Sequence, residues 1–325
     1  MPLEFLISKI KKNNFLLIGR AGIDIYPDPP GTKIESADNF ISHLGGSSAN
    51  MGVELTKFGG SCSLLTRVSD DALGKFILNK LKLYGINNSL VKFEKNESRI
   101  SFAVVETTIK DHQSIIYRHK ASDLFLNKQD IKSSKIESFD CLLITGTTLA
   151  SEPSRSAVLY GLEIANQNNV PVIMDIDFRP YTWESNEKAS EIYNLAVKNC
   201  TGVIGNEEEF NILAGKYKDG LNFAKTLSSN CDLIIYKKGE HGSISYVDGK
   251  EINKGIFSVD PIKPTGAGDA FMGALIGALL KDYDIEKSIE IGSAAAAIVV
   301  TRVGCAPAMP NLEEILEFMK TKKIS

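Results

Sequence analysis

The sequence predicts an α/β fold built on a mainly parallel sheet, with helices on both faces and a small accessory β-sheet. Three observations carry this. From about residue 139 onward, short apolar runs alternate with segments of helical period, the pattern of successive βα units. Residues 97–120 differ in kind, being rich in β-branched and aromatic side chains around a polar connection. The chain of 325 residues, 43% hydrophobic and 24% charged, has the length and apolar content to bury a large core and is not disordered.

Taken in order, Phe15-Leu-Leu-Ile-Gly19 is a short apolar run closed by glycine, as expected of a buried strand. Asp28-Pro-Pro-Gly31 is a turn. Ser48 to Phe58 has the helical period, and Gly59-Gly60 stops it. Cys62 to Val68 reads as one strand and Asp71 to Tyr84 as an amphipathic helix closed by Gly85. Ile100-Ser-Phe-Ala-Val-Val-Glu106 and Ser114-Ile-Ile-Tyr-Arg118 read as an antiparallel pair, not as part of a βαβ unit. Strands are then expected at 141–145, 170–175, 202–205 and 232–236, with helices at 153–168, 186–198, 207–214 and 219–228. A hairpin around 243–257 and helices at 267–281 and 285–301 complete the reading. No internal repeat or low-complexity linker is visible.

Charge and cysteine content exclude several classes of function. The 37 basic and 40 acidic residues leave a formal charge of −3 with the four histidines neutral. A nearly balanced chain is not drawn over long range to nucleic acid or to an anionic membrane, so neither is expected as a partner. A small anionic ligand remains open, because it needs only a local basic pocket. No stretch approaches the ~20 apolar residues of a membrane span. The longest candidate, Phe271 to Leu280, is short and contains two glycines. Lys9, Lys11 and Lys12 are not followed by a long apolar run or a small-residue cleavage site, so no signal peptide is expected. The five cysteines (Cys62, Cys141, Cys200, Cys231, Cys305) form no CxxC, which points to reduced, mostly buried thiols in a cytoplasm and away from a zinc site.

Lys263-Pro-Thr-Gly266-Ala-Gly268-Asp269-Ala-Phe271 is the most informative segment. Its small residues allow close backbone approach to a ligand, and the apolar run after them reads as a helix start. Backbone N–H groups and the helix dipole there favour an anion. Asp269 would repel a phosphate as a ligand, but suits a general base that takes a proton from a hydroxyl attacking a phosphoryl group. The plainer reading is an acidic first-turn residue at an ordinary helix N-terminus.

The segment is accompanied by Gly45-Gly-Ser-Ser-Ala-Asn50, Asn206-Glu-Glu-Glu209, Lys238-Gly-Glu-His-Gly242 and Ala294-Ala-Ala-Ala-Ile-Val-Val-Thr-Arg-Val-Gly304-Cys-Ala. In order and spacing these motifs resemble the ribokinase-like (PfkB) carbohydrate kinases, from about residue 15 to 311. The resemblance implies a ribokinase-like three-layer sandwich spanning 1–325 as a single kinase domain, with lid segments at about 20–45 and 97–121. It implies ATP as phosphoryl donor with Mg²⁺. Gly266, Ala267 and Gly268 would form the anion hole for the transferred phosphoryl, and Asp269 would be the base. Asn206 and Glu209 match the family's NxxE motif, which orders Mg²⁺ largely through water; the residues alone read equally as a helix N-cap and its acidic first turn. Lys238, Gly239 and Gly242 match the loop near the nucleotide phosphates and sugar. Ser293 and Gly304 lie where the family approaches the nucleotide, although Ser293 stands where ribokinase has an asparagine. Lys263 and Ala308 replace an aspartate and a serine that commonly serve a monovalent cation, which leaves potassium activation open.

The same resemblance implies that Asp24 in Arg20-Ala-Gly-Ile-Asp24 binds sugar hydroxyls, together with Gly45, Gly46 and Asn50. Tyr117-Arg118 and Asp177-Phe-Arg179-Pro-Tyr-Thr-Trp183 are more specific. Kinases of keto-deoxy sugar acids carry arginines at similar positions, where a guanidinium grips a carboxylate in two places. Each arginine is otherwise a surface residue or a partner for Asp175 or Asp177, and Arg99 is a weaker third candidate. The segments around Asp24, Arg118, Arg179 and Lys263 together resemble that branch, so the expected reaction is phosphorylation of a terminal hydroxyl. A homodimer through the lid is expected from the family. Two rival readings are a sugar-sensing protein on the kinase fold, which needs no base, and a dinucleotide-dependent oxidoreductase. The latter needs a GxGxxG after the first strand, which Gly19-Arg-Ala-Gly-Ile-Asp24 does not supply.

Overall fold

The computed structural model describes residues 3–95 and 97–324. In chain order the elements are α1 (Leu3–Ile10), β1 (Phe15–Ile18), β2 (Gly22–Asp28), β3 (Asn39–Gly45), α2 (Ser47–Lys57), β4 (Cys62–Leu65), β5 (Arg67–Ser69) and α3 (Ala72–Leu83). Then come β6 (Lys92–Glu94), β7 (Phe102–Val105), β8 (Ser114–Tyr117), α4 (Lys128–Ser134), β9 (Cys141–Thr145), α5 (Ser154–Gln167), β10 (Val172–Asp175), α6 (Asn186–Val197) and β11 (Gly202–Asn206). The rest are α7 (Glu207–Ala214), α8 (Gly220–Leu227), β12 (Leu233–Lys237), β13 (Ser243–Val247), β14 (Lys250–Lys254), α9 (Ala267–Leu280), α10 (Ile285–Val299) and α11 (Leu312–Thr321). The described residues divide into two compact units, one within 3–18 and 124–255 and the other within 19–123 and 256–324.

The first unit carries a sheet in the order β14-β13-β12-β11-β10-β9-β1. Strands β1 and β9 to β12 run parallel, and the β13–β14 hairpin extends the sheet antiparallel beyond β12. The parallel strands are apolar along their length because both faces are covered: β1 and β9 are buried at every position. The alternation read from residue 139 onward therefore appears as expected, with boundaries within a residue or two. Helix α7 begins at the last residue of β11 through a capping box, with Asn206 and Glu209 bonding each other's backbone N–H.

The second unit holds the accessory sheet, in the order β3-β2-β7-β8. The pairs β2–β3 and β7–β8 are antiparallel, while β2–β7 is parallel. The segments expected at 20–45 and 97–121 supply all four strands. In the same unit α9 packs against both α2 and α10, and α2 follows directly from β3. Helix α9 is buried from Ala270 to Leu279, so its sequence is apolar all round without amphipathic period.

Two expectations need correction. The run from Cys62 to Val68 is not one strand: it breaks after Leu65, and β5 changes partner to pair in parallel with β6. The Thr66 carbonyl at the break accepts the Lys92 N–H, which begins the new pairing. Helices α1, α4 and α11 add to those expected. For α11 the signal was present: Asn311 and Glu314 form a capping box, followed by apolar residues at helical spacing.

Candidate active site

In the second unit the site is set by the seam between α2 and α9. The two helices run side by side in the same direction, in register every four residues. Gly277 lies so close to Phe58 that an added Cβ would fall 2.4 Å from the ring, and at Gly273 it would fall 2.6 Å from the Glu54 Cβ. One turn further toward the N-termini, Asn50 Nδ2 donates to Asp269 Oδ2 at 2.9 Å. Small residues on α9 thus bring the backbones together and carry Asn50 onto the aspartate. Gly266 is the N-cap of α9, with φ +87 and no side-chain cap. An uncapped N-terminus of this kind is a receptor for an anion. A Cβ at Gly266 would also lie 2.9 Å from the Cys305 Sγ, so packing as well as φ requires glycine there. Gly266, Ala267, Gly268 and Asp269 are therefore consecutive at one uncapped helix end, with Asn50 against it.

Asp24 lies in β2, opposite His43 on β3 and Ala103 on β7. It is buried, and its Oδ1 has no hydrogen-bond partner. Burial raises its carboxyl above the usual range, opposed by Arg20, the Cys305 thiol and Lys263. A Cβ at Gly45 would come within 2.0 Å of that carboxylate, and one at Gly46 (φ +97) within 2.4 Å of the Arg20 carbonyl. The Gly45-Gly46 pair therefore lets the chain turn into α2 directly against Asp24 and deliver Asn50. Asn50 Oδ1 is also buried without a partner. Two orphaned acceptors so placed suit hydroxyl donors of a polyol.

Arg118 is buried and donates Nε to Asp123 Oδ2 at 3.0 Å, with Nη2 on the same oxygen. Tyr117 is 62% exposed. Its register opposite Phe102, which itself stands opposite Ile23, sets it on the sheet face away from Asp24. Ser293 is half-buried on α10, and Gly304 follows that helix with φ +82. Arg99 bridges to Ala121 and lines a polar cavity of about 370 Å³ with Asp70, Asp71 and Glu94.

In the first unit, Asp175, Asn206 and Lys237 are the last residues of three adjacent parallel strands, with Asn206 opposite Lys237 and Asp175 opposite Ile204. Ligands of parallel α/β sheets bind at this edge. Lys237 Nζ is 3.9 Å from Asp175 Oδ1. Glu209 Oε2 accepts the Asn206 N–H at 2.7 Å and Oε1 the Phe178 N–H at 3.1 Å. Burial, then the neighbouring Asp175, pushes the Glu209 carboxyl up to about 7. Arg179 pairs with Asp177 at 2.6 Å, the partner weighed from the sequence, and remains half-exposed. Lys238 and Gly239 follow β12 in a short turn closed by Gly242 (φ +79), where a Cβ would meet the Lys254 carbonyl at 2.0 Å.

Sequence reasoning did not single out Arg20, Lys237 or the buried environment of Lys263. Arg20 carried a usable signal, since it stands beside the glycine that ends β1. Lys237 carried none, and for Lys263 the resemblance marked the position but not its burial, because the surroundings of both are assembled by distant segments. Among the described residues no helix is long and apolar enough to cross a membrane.

Residues 12–312 match the family described as "pfkB family carbohydrate kinase". A 5-dehydro-2-deoxygluconokinase of Photobacterium profundum is 37% identical, over 95% of this chain and 95% of its own. One of Geobacillus kaustophilus is 36% identical, over 95% of this chain and 94% of its own. Among solved structures, a putative ribokinase II in complex with ATP and Mg²⁺ from E. coli superposes with a TM-score of 0.84. At 20% identity, over 95% of this chain and 99% of that one, it establishes the fold. By motif order, by fold and by these matches along nearly its whole length, the chain belongs to the pfkB family of carbohydrate kinases.

Proposed function

We propose that this chain is a cytoplasmic 5-dehydro-2-deoxygluconokinase, which transfers the γ-phosphoryl of ATP to the 6-hydroxyl of 5-dehydro-2-deoxy-D-gluconate in myo-inositol catabolism. The observation that carries the chemistry is Asp269, held by Asn50 in the first turn of an uncapped helix behind a glycine loop. The substrate name rests on the full-length relatives that bear it.

In this reading Asp24 and Asn50 accept hydrogen bonds from substrate hydroxyls through their orphaned oxygens, beside Gly45 and Gly46. The Asp269 carboxylate takes the proton of the terminal hydroxyl as its oxygen forms the bond to phosphorus and the bond to the ADP oxygen breaks. The N–H groups at Gly266, Ala267 and Gly268 stabilise charge on the transferred phosphoryl. Arg118 and Arg179 serve the substrate carboxylate, their forks oriented by Asp123 and Asp177; Tyr117 belongs to the same segment. Lys238, Gly239, Gly242, Ser293 and Gly304 serve the nucleotide.

Mg²⁺ fits the first unit's strand ends on chemical grounds. Glu209, Asp175 and Asp177 gather negative charge there, which adds to burial in raising the Glu209 carboxyl, and their oxygens are hard donors. Among the described residues no three acidic, histidine or cysteine side chains converge to hold a metal directly. Asn206 and Glu209 would therefore hold it through water, and the bound cation would neutralise charge on the nucleotide phosphates. The accessory sheet serves as the lid that excludes water and as a dimer interface.

The test is an ADP-release assay over keto-deoxy aldonic acids and neutral sugars. The expected result is turnover with 5-dehydro-2-deoxygluconate at a kcat/KM at least ~10-fold above that for 2-dehydro-3-deoxygluconate, ribose or fructose. Preference for 2-dehydro-3-deoxygluconate would reassign the substrate. Equal use of ribose or fructose would reject the acid-binding role of the arginines. Sugar binding without ADP release would reject the enzyme.

A further inference from the structure

Lys263 is fully buried, an environment in which lysine is found only with compensation. Its Nζ donates to the Thr265 carbonyl at 2.6 Å and to the Val299 carbonyl at 3.2 Å. Thr265 is the residue immediately before Gly266. Val299 is the last residue of α10, where the negative end of the helix dipole favours a cation; its carbonyl also accepts the Arg302 N–H at 3.2 Å. One ammonium therefore ties the start of the glycine loop to the end of the neighbouring helix.

The charged and titratable groups facing it come from three elements. Asp24 reaches from β2, Asp269 from α9, and Cys305 from the segment after α10, where the Tyr26 hydroxyl contacts its sulfur at 3.4 Å. Burial lowers the ammonium from its ordinary value, while Cys305, Asp24 and Asp269 all act to raise it again. The two carboxylates assigned to hydroxyl binding and to proton removal thus both lie within the electrostatic reach of this one buried cation. Two carbonyl oxygens converge on the ammonium, which stands where a small monovalent cation could otherwise bind them.

We propose that Lys263 is a positioning residue for phosphoryl transfer: its ammonium serves as an internal monovalent cation that ties the glycine loop to the end of α10 and so fixes the turn that carries Asp269. The inference rests on the kinase reading above. It makes turnover by the native chain indifferent to potassium. It also means that removing the side chain leaves a cation-sized hole lined by oxygens.

The experiment begins with the native enzyme in buffers whose only monovalent cation is tetramethylammonium, sodium or potassium. Rates within about twofold of one another are expected, and a potassium stimulation of ~10-fold or more overturns the proposal. Lys263→Ala and Lys263→Met are then compared after thermal unfolding has shown that they fold. Both should lose ~10²-fold in kcat, with little change in KM for ATP. The acid limb of the pH profile should move to higher pH, because a carboxylate without its cation holds its proton more tightly. Potassium or methylammonium should restore Lys263→Ala at least ~10-fold but not Lys263→Met, whose side chain fills the hole. A Lys263→Met variant with native kcat and pH profile overturns the proposal. If neither variant folds, the cation series on the native enzyme decides alone. Absence of any kinase activity in the native chain rejects the kinase reading instead.

Discussion

An aspartate in the first turn of a helix ordinarily contributes a few tenths of a kcal/mol through the dipole and does nothing else. Asp269 has two features beyond that. Asn50 from another helix donates to it, and the turn before it is glycine-rich and uncapped. If it removes the substrate proton, Asp269→Asn should lower kcat by ~10²-fold or more, with modest change in KM for ATP and in unfolding temperature. Steady-state kinetics beside a melting curve separates the roles: near-native turnover rejects the base, and lost folding with unchanged specific activity of the folded fraction makes it structural. This residue was legible in the sequence because its chemistry is local, contained in Gly266-Ala-Gly-Asp269. Asp24 was legible only through the resemblance, since nothing around it in sequence says that a strand will bury it. Lys263 was legible through the resemblance as the residue standing where an aspartate commonly serves a monovalent cation, but its burial was not. Its burial is the work of Val299 and Cys305, distant in sequence, which no local pattern reports.

At the level of elements, period and punctuation found the strands and helices of the parallel sheet, because each is bounded by its own glycines, caps and apolar runs. They failed at Thr66, where only a change of partner strand ends the element, and at α1, α4 and α11, which lie outside the βα alternation. The α2–α9 seam was half legible: the small residues were visible, but not which helix would lie on them. That seam carries a cost. Glu54 is fully buried against Gly273, and neither of its carboxylate oxygens has a hydrogen-bond partner. Burial holds its carboxyl well above the ordinary 4.5. A raised carboxyl leaves stability intact below the unfolded value, where both states are protonated. Stability is then lost as pH rises from about 4.5 toward the folded value. Glu54→Met, which keeps volume and removes the charge, should therefore stabilise the protein by ~1–3 kcal/mol at pH 8 and by much less near pH 4. Urea unfolding at the two pH values checks it. Equal gains at both, or a loss at pH 8, would show that Glu54 is not a buried acid penalised by ionisation.

For the molecule as a whole, global charge and local charge give different information. The formal −3 excludes long-range attraction to polyanions, yet Arg20, Arg118 and Lys263 are all buried within the second unit, a concentration that composition cannot report. The same contrast holds for apolar surface. The register of the accessory sheet puts Phe40, Ile25, Val104, Phe102, Ile115 and Tyr117 on one face, opposite the face carrying Asp24 and Tyr26. Phe40 is 46% exposed, Ile115 37% and Tyr117 62%, with Ile25, Phe102 and Val104 half-buried between them. A sheet face with this composition is stabilised by covering it, and a second copy of the chain offers the identical face for a twofold interface. The native chain should then run in light scattering at twice its 35.5 kDa, and Phe40→Asp with Ile115→Asp should halve that mass. The aspartates project from the face away from Asp24, so the monomeric variant should keep its fold by circular dichroism. Because the lid would lose its support, KM for the sugar acid should rise ~3- to 10-fold while KM for ATP changes little. A native chain that is monomeric at micromolar concentration rejects the interface. A monomeric variant with unchanged KM separates dimerisation from the lid's role in substrate binding.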